Sequence, residues 1–163
     1  MNKPLVSIIM GSANDWDVMQ QSAQALKDFG VEYDARVISA HRAPDLLFSY
    51  IKEMSDSGVQ CFIAGAGAAA HLAGVIASKT TLPVLGVPIP SKYLKGMDSL
   101  LSIVQMPKGI PVATFAIGEA GAANAGLFAV SMLALNDVVL ADKLKAYRQK
   151  QADQIASTTL PTL

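Results

Sequence analysis

The sequence has few of the residues that form disulfide frameworks, metal centres or nucleic-acid surfaces. Its 163 residues include one cysteine and two histidines, and 13 basic side chains are balanced by 13 acidic ones. A single cysteine cannot form an intramolecular disulfide or a cysteine-rich zinc site. A formal net charge of zero gives no general attraction to nucleic acid or to an anionic membrane. An anionic ligand would therefore have to be held by a local site.

Long apolar runs are also missing. Apolar windows are broken by glycine, proline or polar residues before they reach the roughly 20 residues of a membrane-spanning helix. The opening residues Met-Asn-Lys-Pro lead directly into a strand-like run, without the longer apolar stretch and cleavage site of a leader peptide. We therefore expect a cytoplasmic protein with neither a membrane nor a nucleic acid as its partner.

Apolar side chains, by contrast, are abundant. They make up 52% of the chain and charged residues only 16%, whereas typical domains have roughly 45–50% and 25%. We expect one domain over residues 1–163, and a domain of this size covers so much apolar surface poorly. The sequence therefore predicts a homo-oligomer. Cys61 lies in an apolar run and is predicted to be a buried, unreactive thiol.

Short β-branched runs alternate with amphipathic stretches along the chain. This order is typical of repeated strand–helix units around a parallel sheet, which is an α/β fold. The predicted strands cover residues 5–10, 32–38, 61–64, 82–87 and 111–116. The predicted helices cover residues 16–29, 45–57 with Pro44 as an early helical position, 69–79, 97–104, 120–135 and about 137–156.

The last two predicted helices have unusual surfaces. The helix over residues 120–135 carries small side chains that allow close approach to a neighbouring backbone, and a subunit contact is one candidate for that neighbour. The final helix carries an apolar stripe formed by Leu140, Leu144 and Tyr147. Its partner is either its own domain or another subunit, and the expected oligomer favours another subunit.

Ligands of open parallel sheets bind beyond the carboxyl ends of the strands, so the turns after the first three strands are the first places to search. The second of these turns reads Ser39-Ala40-His41-Arg42. Ser39 and Arg42 offer a hydroxyl and a fixed positive charge beside a predicted helix N-terminus, an arrangement that holds a phosphate. Imidazole can accept and return a proton near neutral pH, so His41 is the candidate acid/base. The alternative is a histidine that only hydrogen-bonds the turn backbone.

The first turn, over residues 11–15, carries polar side chains of two kinds. Asn14 or Asp15 is suited to capping the helix that follows. A carboxylate also accepts hydrogen bonds from sugar hydroxyls, although it repels a phosphate. We therefore expect a ribonucleotide to place its ribose at Asp15 and its phosphate at Ser12 and the second turn.

The third turn is rich in glycine and alanine. From Gly65 to Ala70 it fits the pattern of a dinucleotide-binding turn, but that pattern belongs to a first strand–helix turn with an acidic residue about 20 positions later. Apolar residues 84–87 stand there instead, so this interpretation is rejected. His71 either starts a helix with its ring bonded to the backbone or contacts a substrate. Lys92 and Lys95, in a loop that contains glycine, belong to a solvated face or to a mobile lid.

Several long motifs, in the same order, are similar to those of one known family. They are Met10-Gly11-Ser12 with Asp15-Trp16, Ser39-Ala40-His41-Arg42 with Pro44, residues 64–72, Leu85-Gly86-Val87-Pro88, residues 98–107 continuing through Gly109-Ile110-Pro111-Val112, and Gly121-Ala122-Ala123-Asn124-Ala125. On these motifs the chain resembles the bacterial class I N5-carboxyaminoimidazole ribonucleotide mutases of purine biosynthesis over nearly its whole length. The family often has serine at Asn14, threonine at Ala43, glycine at Ala69 and proline at Ala73.

The resemblance implies a three-layer αβα flavodoxin-like (Rossmann-like) parallel sheet, with a C-terminal helix packing on a neighbouring subunit. It implies a homo-octamer with sites at subunit junctions, no metal, ATP or biotin, and conversion of N5-carboxyaminoimidazole ribonucleotide to 4-carboxy-5-aminoimidazole ribonucleotide. His41 corresponds to the catalytic histidine. The implied nucleotide-binding residues are Ser12, Asp15, Ser39 and Arg42, with Gly67, Ala68, His71 and Leu72 near the base.

Two other functions remain open from the sequence. The first is a related carboxylase that takes free CO2 and aminoimidazole ribonucleotide directly. The second is a nucleotide-binding oligomer without turnover, which the fold alone would permit. A titratable group between Ser39 and Arg42 disfavours the second, because a protein that only binds has no need of one there.

Overall fold

The computed structural model describes residues 3–162, and its centre is a five-stranded, all-parallel sheet. The strands are β1 (Val6–Met10), β2 (Tyr33–Val37), β3 (Cys61–Gly67), β4 (Val84–Ile89) and β5 (Ala113–Thr114). The helices are α1 (Trp16–Phe29), α2 (Pro44–Ser57), α3 (Leu72–Ala77), α4 (Met97–Val104), α5 (Glu119–Leu133) and α6 (Val138–Ala156). The strand order is β2-β1-β3-β4-β5, the flavodoxin-like order. The predicted α/β fold is therefore confirmed.

Both faces of the sheet are covered by helices, because alternate side chains of the central strands point to opposite sides. On one face Val6 and Ile8 of β1 join a buried cluster with residues of α1 and α5. On the other face Ile9 joins a cluster with residues of α2, α3 and α4. The three-layer architecture leaves the carboxyl ends of the strands open for a ligand site.

The strand and helix boundaries differ from the predictions mainly around the third turn. The glycine-rich segment continues β3 as far as Gly67, and α3 begins only at Leu72. A side chain at Gly65 would collide with the side chain of Met19 from α1. Glycine is therefore needed inside the strand because a helix passes close to it, and it does not mark a turn. The predicted strand over residues 111–116 is reduced to Ala113–Thr114.

The small-residue face of α5 packs against α1 of the same chain. A Cβ added at Gly126 would lie 2.8 Å from the Ser22 carbonyl oxygen and 2.8 Å from the Ala25 Cβ. The Ser22 hydroxyl also donates a 2.6 Å hydrogen bond to the carbonyl of Ala122. The expectation of a subunit contact on this face is therefore wrong, since the close approach is satisfied within the chain.

The apolar stripe of α6 also finds its partner within the chain. Leu140 is buried in the same cluster as α1 and α5, and the Lys143 ammonium group donates to the Phe29 carbonyl at 2.9 Å. The rings of Phe29 and Tyr147 meet edge to face, with centroids 5.7 Å apart. These contacts are made within the chain, but Tyr147 is still 38% exposed and every residue from 148 to 162 is exposed, so the packing of this helix on another subunit stays a prediction. Between residues 3 and 162, no helix combines the length and apolar character of a membrane span.

Candidate active site

The turns after β1, β2 and β3 meet in one cleft of about 430 Å³ at the carboxyl edge of the sheet. They are brought together because β1 lies between β2 and β3, which is where the strand order reverses and where such folds bind their ligands. Eight of the nine predicted site residues line the cleft: Ser12, Asp15, Ser39, His41, Arg42, Gly67, Ala68 and Leu72. The ninth, His71, contacts one of them.

The first turn is a short 3-10 segment closed by reciprocal hydrogen bonds. The Ser12 hydroxyl accepts from the Asn14 amide at 3.3 Å, and the Asp15 carboxylate accepts from the Ser12 amide at 3.0 Å. The capping residue is therefore Ser12. Of the two predicted capping residues, Asp15 stands at the N-cap position of α1 but makes no side-chain bond to that helix, because its carboxylate accepts from the Ser12 amide instead.

The Asp15 carboxyl is half-buried, and burial raises its pKa above the ordinary value. Hydrogen bonds from the Ser12 and Gly11 backbone and the charge of Arg42 act in the opposite direction but do not cancel the desolvation. A partly desolvated carboxylate at the cleft wall is an acceptor that gains from a new hydrogen-bond donor, such as a ligand hydroxyl.

The second turn is tied to the first by Arg42. Its guanidinium donates to the Gly11 carbonyl at 2.9 Å and to the Ser39 hydroxyl at 3.2 Å, and its amide donates to the same hydroxyl at 3.3 Å. A serine hydroxyl has two acceptor positions and one donor. Since Arg42 fills both acceptor positions, the Ser39 proton is directed to another acceptor, which suits an anionic ligand near the start of α2.

The two histidines of the chain contact each other. Nε2 of His41 lies 2.8 Å from Nδ1 of His71, and the rings meet edge to face with centroids 5.0 Å apart. The backbone-bonded interpretation of His71 is wrong, because its side chain makes no cap bond and meets His41 instead. Sequence reasoning missed this pairing, although both residues follow strands that neighbour β1.

The third wall of the cleft is formed by residues 66–69 at the end of β3. Ala68 has a φ of +56°, in the left-handed region that alanine seldom adopts. Its amide donates a 2.9 Å hydrogen bond to the hydroxyl of Ser99, a fully buried residue of α4. Ser99 belongs to the motif over residues 98–107, but no role was predicted for it, because its contact lies 31 positions away.

A fourth wall follows β4 and was seen in the sequence only as a lid or solvated face around Lys92. It includes Ser91, Lys92, Tyr93 and Asp98. The Ser91 hydroxyl donates to the Asp98 carboxylate at 2.6 Å and accepts from the Gly96 amide at 3.0 Å. The loop is therefore anchored at its base, while Tyr93 at its tip is 84% exposed. A polar residue directly after a central strand is the signal that would have indicated this wall.

The cleft combines an imidazole pair with two cationic side chains, two carboxyl groups and a small apolar wall. Within residues 3–162, no group of three or more His, Cys, Asp or Glu side chains is arranged to hold a metal ion. Arg42 and Lys92 carry the positive charges of the lining, and Asp15 and Asp98 carry the negative ones. This arrangement can transfer a proton at His41 and bind an anionic, hydroxyl-bearing ligand.

A model of the AIR carboxylase family matches residues 5–154. The chain belongs to this family. One relative, the N5-carboxyaminoimidazole ribonucleotide mutase of Saccharolobus solfataricus, is 54% identical to this chain over 157 residues. The alignment covers 96% of this chain and 98% of the relative. The mutase of Bacillus subtilis is 52% identical and covers 96% and 97%.

A solved family structure has the same fold. The crystal structure of Treponema denticola PurE superimposes with a TM-score of 0.86 at 32% sequence identity, over 94% of each chain. The family membership and the flavodoxin-like sheet expected from the sequence motifs are therefore confirmed.

Proposed function

We propose that this protein is an N5-carboxyaminoimidazole ribonucleotide mutase that forms 4-carboxy-5-aminoimidazole ribonucleotide in purine biosynthesis. The observation that carries the proposal is the position of His41. It lies in the cleft between the anion-binding pair Ser39 and Arg42 and the imidazole of His71. The high identity to mutases over nearly the whole chain supports the same reaction.

The reaction needs one group that gives a proton and then takes one back. His41 protonates the carbamate nitrogen as the nitrogen–carboxyl bond breaks, which leaves aminoimidazole ribonucleotide and CO2. Carbon 4 of the ring then attacks CO2, and neutral His41 removes the proton from that carbon to restore aromaticity. The proton is returned, so one imidazole serves both steps without an external acid or base.

His71 fixes which nitrogen of His41 does this work. If Nε2–H of His41 donates to Nδ1 of His71, the same hydrogen bond persists in the neutral and the protonated ring, and Nδ1 of His41 exchanges the proton with substrate. A ring held in one tautomer and orientation meets the substrate without rearrangement. His71 therefore acts on the reaction through His41.

The substrate subsites follow from the cleft walls. The phosphate is assigned to Ser12, Ser39 and Arg42, and the ribose hydroxyls to Asp15. The imidazole base lies against the wall formed by Gly67, Ala68, His71 and Leu72. The small apolar side chains of this wall suit retention of CO2 between the two steps, because an apolar wall excludes water from the pocket.

We further propose a single-domain cytoplasmic enzyme that works without metal or organic cofactor as a homo-octamer. Met97, Leu101 and Val104 form an exposed apolar stripe along α4, and such stripes are normally covered. The exposed segment over residues 148–162 is the part of the C-terminal helix assigned to a neighbouring subunit. Light scattering at micromolar concentration tests the assembly, and a monomeric mass would refute it.

A second candidate is the carboxylase reaction with free CO2, because the family model that matches the chain is named for AIR carboxylase. The same cleft and histidine would serve it. The two reactions differ in whether the carboxyl group arrives on the substrate or from solution.

A spectroscopic assay without ATP or metal distinguishes these functions. We expect rapid interconversion of the N5-carboxy and 4-carboxy isomers that does not depend on bicarbonate. Product formed only from aminoimidazole ribonucleotide, and rising with CO2, would establish the carboxylase instead. No turnover under any condition would leave a nucleotide-binding oligomer.

Two variants assign the roles within the cleft. His41→Asn should abolish turnover and leave nucleotide affinity largely intact, because it removes proton transfer but keeps the anion site. Arg42→Ala should mainly weaken binding, since it removes charge-assisted hydrogen bonds to the phosphate. Near-wild-type turnover in His41→Asn would exclude the proposed acid/base.

A further inference from the structure

One fully buried hydroxyl joins two walls of the cleft. Ser99, in the first turn of α4, has no exposed surface. Its hydroxyl donates to the Ile89 carbonyl at 2.7 Å and accepts from the Ala68 amide at 2.9 Å. Both partners line the cleft, Ile89 at the end of β4 and Ala68 after β3. Ser99 therefore uses its donor and one acceptor to set the distance between these walls.

The segment held by Ser99 is conformationally unfavourable by itself. Ala68 has a φ of +56°, and the left-handed conformation places the alanine Cβ too close to the neighbouring carbonyl oxygen. Non-glycine residues keep such a conformation only where the surroundings impose it. The Ala68 amide donates to the buried Ser99 hydroxyl, which makes a second hydrogen bond to Ile89, and this fixed acceptor is such a constraint.

The same segment leads directly to His71. The Ala70 amide donates to the Ala68 carbonyl at 2.8 Å, and the His71 amide donates to the Ala69 carbonyl at 2.8 Å. Two tight turns in succession leave little freedom between Ala68 and the His71 ring. A change in the Ala68 conformation must therefore displace His71 relative to His41.

The other buried serines hold the core. The Ser7 hydroxyl bonds to Tyr50 beneath the sheet, and the Ser22 hydroxyl joins α1 to α5. None of these partners lines the cleft. Ser22 is therefore a matched control, because it is equally buried and its loss also removes a hydroxyl bonded to a carbonyl.

We propose that Ser99 is a positioning residue, which holds Ala68 in the left-handed conformation and so presents the His71 ring to His41. This inference rests on the proposed function and deepens it. Ser99 touches neither imidazole, and its connection to His41 runs through residues 68–71. We therefore expect its effect on kcat to be contained within the effect of His71.

The kinetic test compares Ser99→Ala, His71→Ala and the double variant. We expect each single variant to lower kcat about fivefold with a smaller change in KM, and the double variant to be no worse than His71→Ala, because the two changes remove one interaction. Ser22→Ala removes a comparable hydrogen bond, but its partner Ala122 lies outside the cleft. We therefore expect this variant to keep kcat within about twofold of the wild type. Losses that multiply in the double variant, or an unchanged kcat in Ser99→Ala, would overturn the proposal.

A second readout does not depend on activity. The chain has two histidines, so the imidazole nitrogen signals in an NMR spectrum come from His41 and His71 alone. Ser99→Ala should shift these signals at fixed pH, and Ser22→Ala should not. Unchanged signals would overturn the proposal even if the wild type were not a mutase, whereas shifted signals with an inactive wild type would contradict only the proposed function.

Ala68→Val tests the same idea without removing a buried hydroxyl, should Ser99→Ala not fold. A β-branched side chain disfavours a positive φ more strongly than alanine does. Because Ala68 is exposed, the variant should fold. We expect it to shift the ring signals in the same direction as Ser99→Ala, and wild-type signals in this variant would show that the Ala68 conformation does not position His71.

Discussion

Replacing His71 separates a role in orienting His41 from a direct role in proton transfer. The 2.8 Å bond between the rings is a hydrogen bond of ordinary length, whose net contribution is roughly 0.5–1.5 kcal/mol. If His71 only holds His41 in place, His71→Ala should lower kcat by a factor of about 5, which corresponds to about 1 kcal/mol. Loss of a true general acid or base costs about 10²–10⁴.

His71→Asn is the matched variant, because the amide of asparagine reaches the position of the imidazole Nδ1 that contacts His41. We expect it to recover most of the activity lost in His71→Ala. His71 is exposed and makes no side-chain cap to α3, so neither variant should alter stability much. Steady-state kinetics with the N5-carboxy isomer provides the measurement. A loss greater than about 100-fold, or no recovery with asparagine, would refute an orienting role.

Three further predictions concern one carboxyl group of the cleft, the buried thiol and the packing of α5 on α1. Burial raises the pKa of the Asp15 carboxyl above 3.8, so its contribution to stability is complete below that pH and is lost as the pH rises through the folded-state pKa. Urea unfolding should therefore show Asp15→Asn gaining stability relative to the wild type as the pH rises, and a relative loss would contradict the burial argument. Burial raises the pKa of the Cys61 thiol to about 12, so a thiol reagent should label native protein about 10³-fold more slowly than denatured protein. Comparable rates would place the thiol at the surface. Gly126→Ala should lower the free energy of unfolding by about 1–2 kcal/mol, because overpacking against α1 exceeds the gain in helix propensity. A stability gain would show that α1 and α5 are not in tight contact.

The positions of the site turns could be predicted from the sequence because they follow from strand order. Alternation of strands and helices indicates a parallel sheet, and its ligand edge is the carboxyl edge. The turns that carry Ser12, His41 and Arg42 are predictable in this way. The same reasoning extended to β4 would have identified Ser91.

Contacts between turns could not be predicted, because they depend on register and side-chain direction. His41 and His71 are 30 positions apart, and their 2.8 Å contact requires both turns to have their observed length and conformation. The pairing of Ser99 with Ala68 additionally requires the left-handed conformation at Ala68, which an alanine does not indicate. The contact between α6 and Phe29 could not be predicted, because Phe29 lies 114 positions from Lys143.

Two features that cost stability lie at the cleft, while the central strands β1, β3 and β4 are buried. Ala68 adopts a conformation that costs roughly 1–2 kcal/mol, and Asp15 is partly desolvated with a raised pKa. Both are held by neighbours that line or support the cleft, Ser99 in one case and Ser12 in the other. Because strain of this kind persists only where the surroundings over-determine it, we infer that the contacts made by α4 and by the first turn maintain the proposed catalytic geometry. Stabilising substitutions should therefore be sought away from these residues, since at the cleft they would relax the arrangement proposed to present His41 to its substrate.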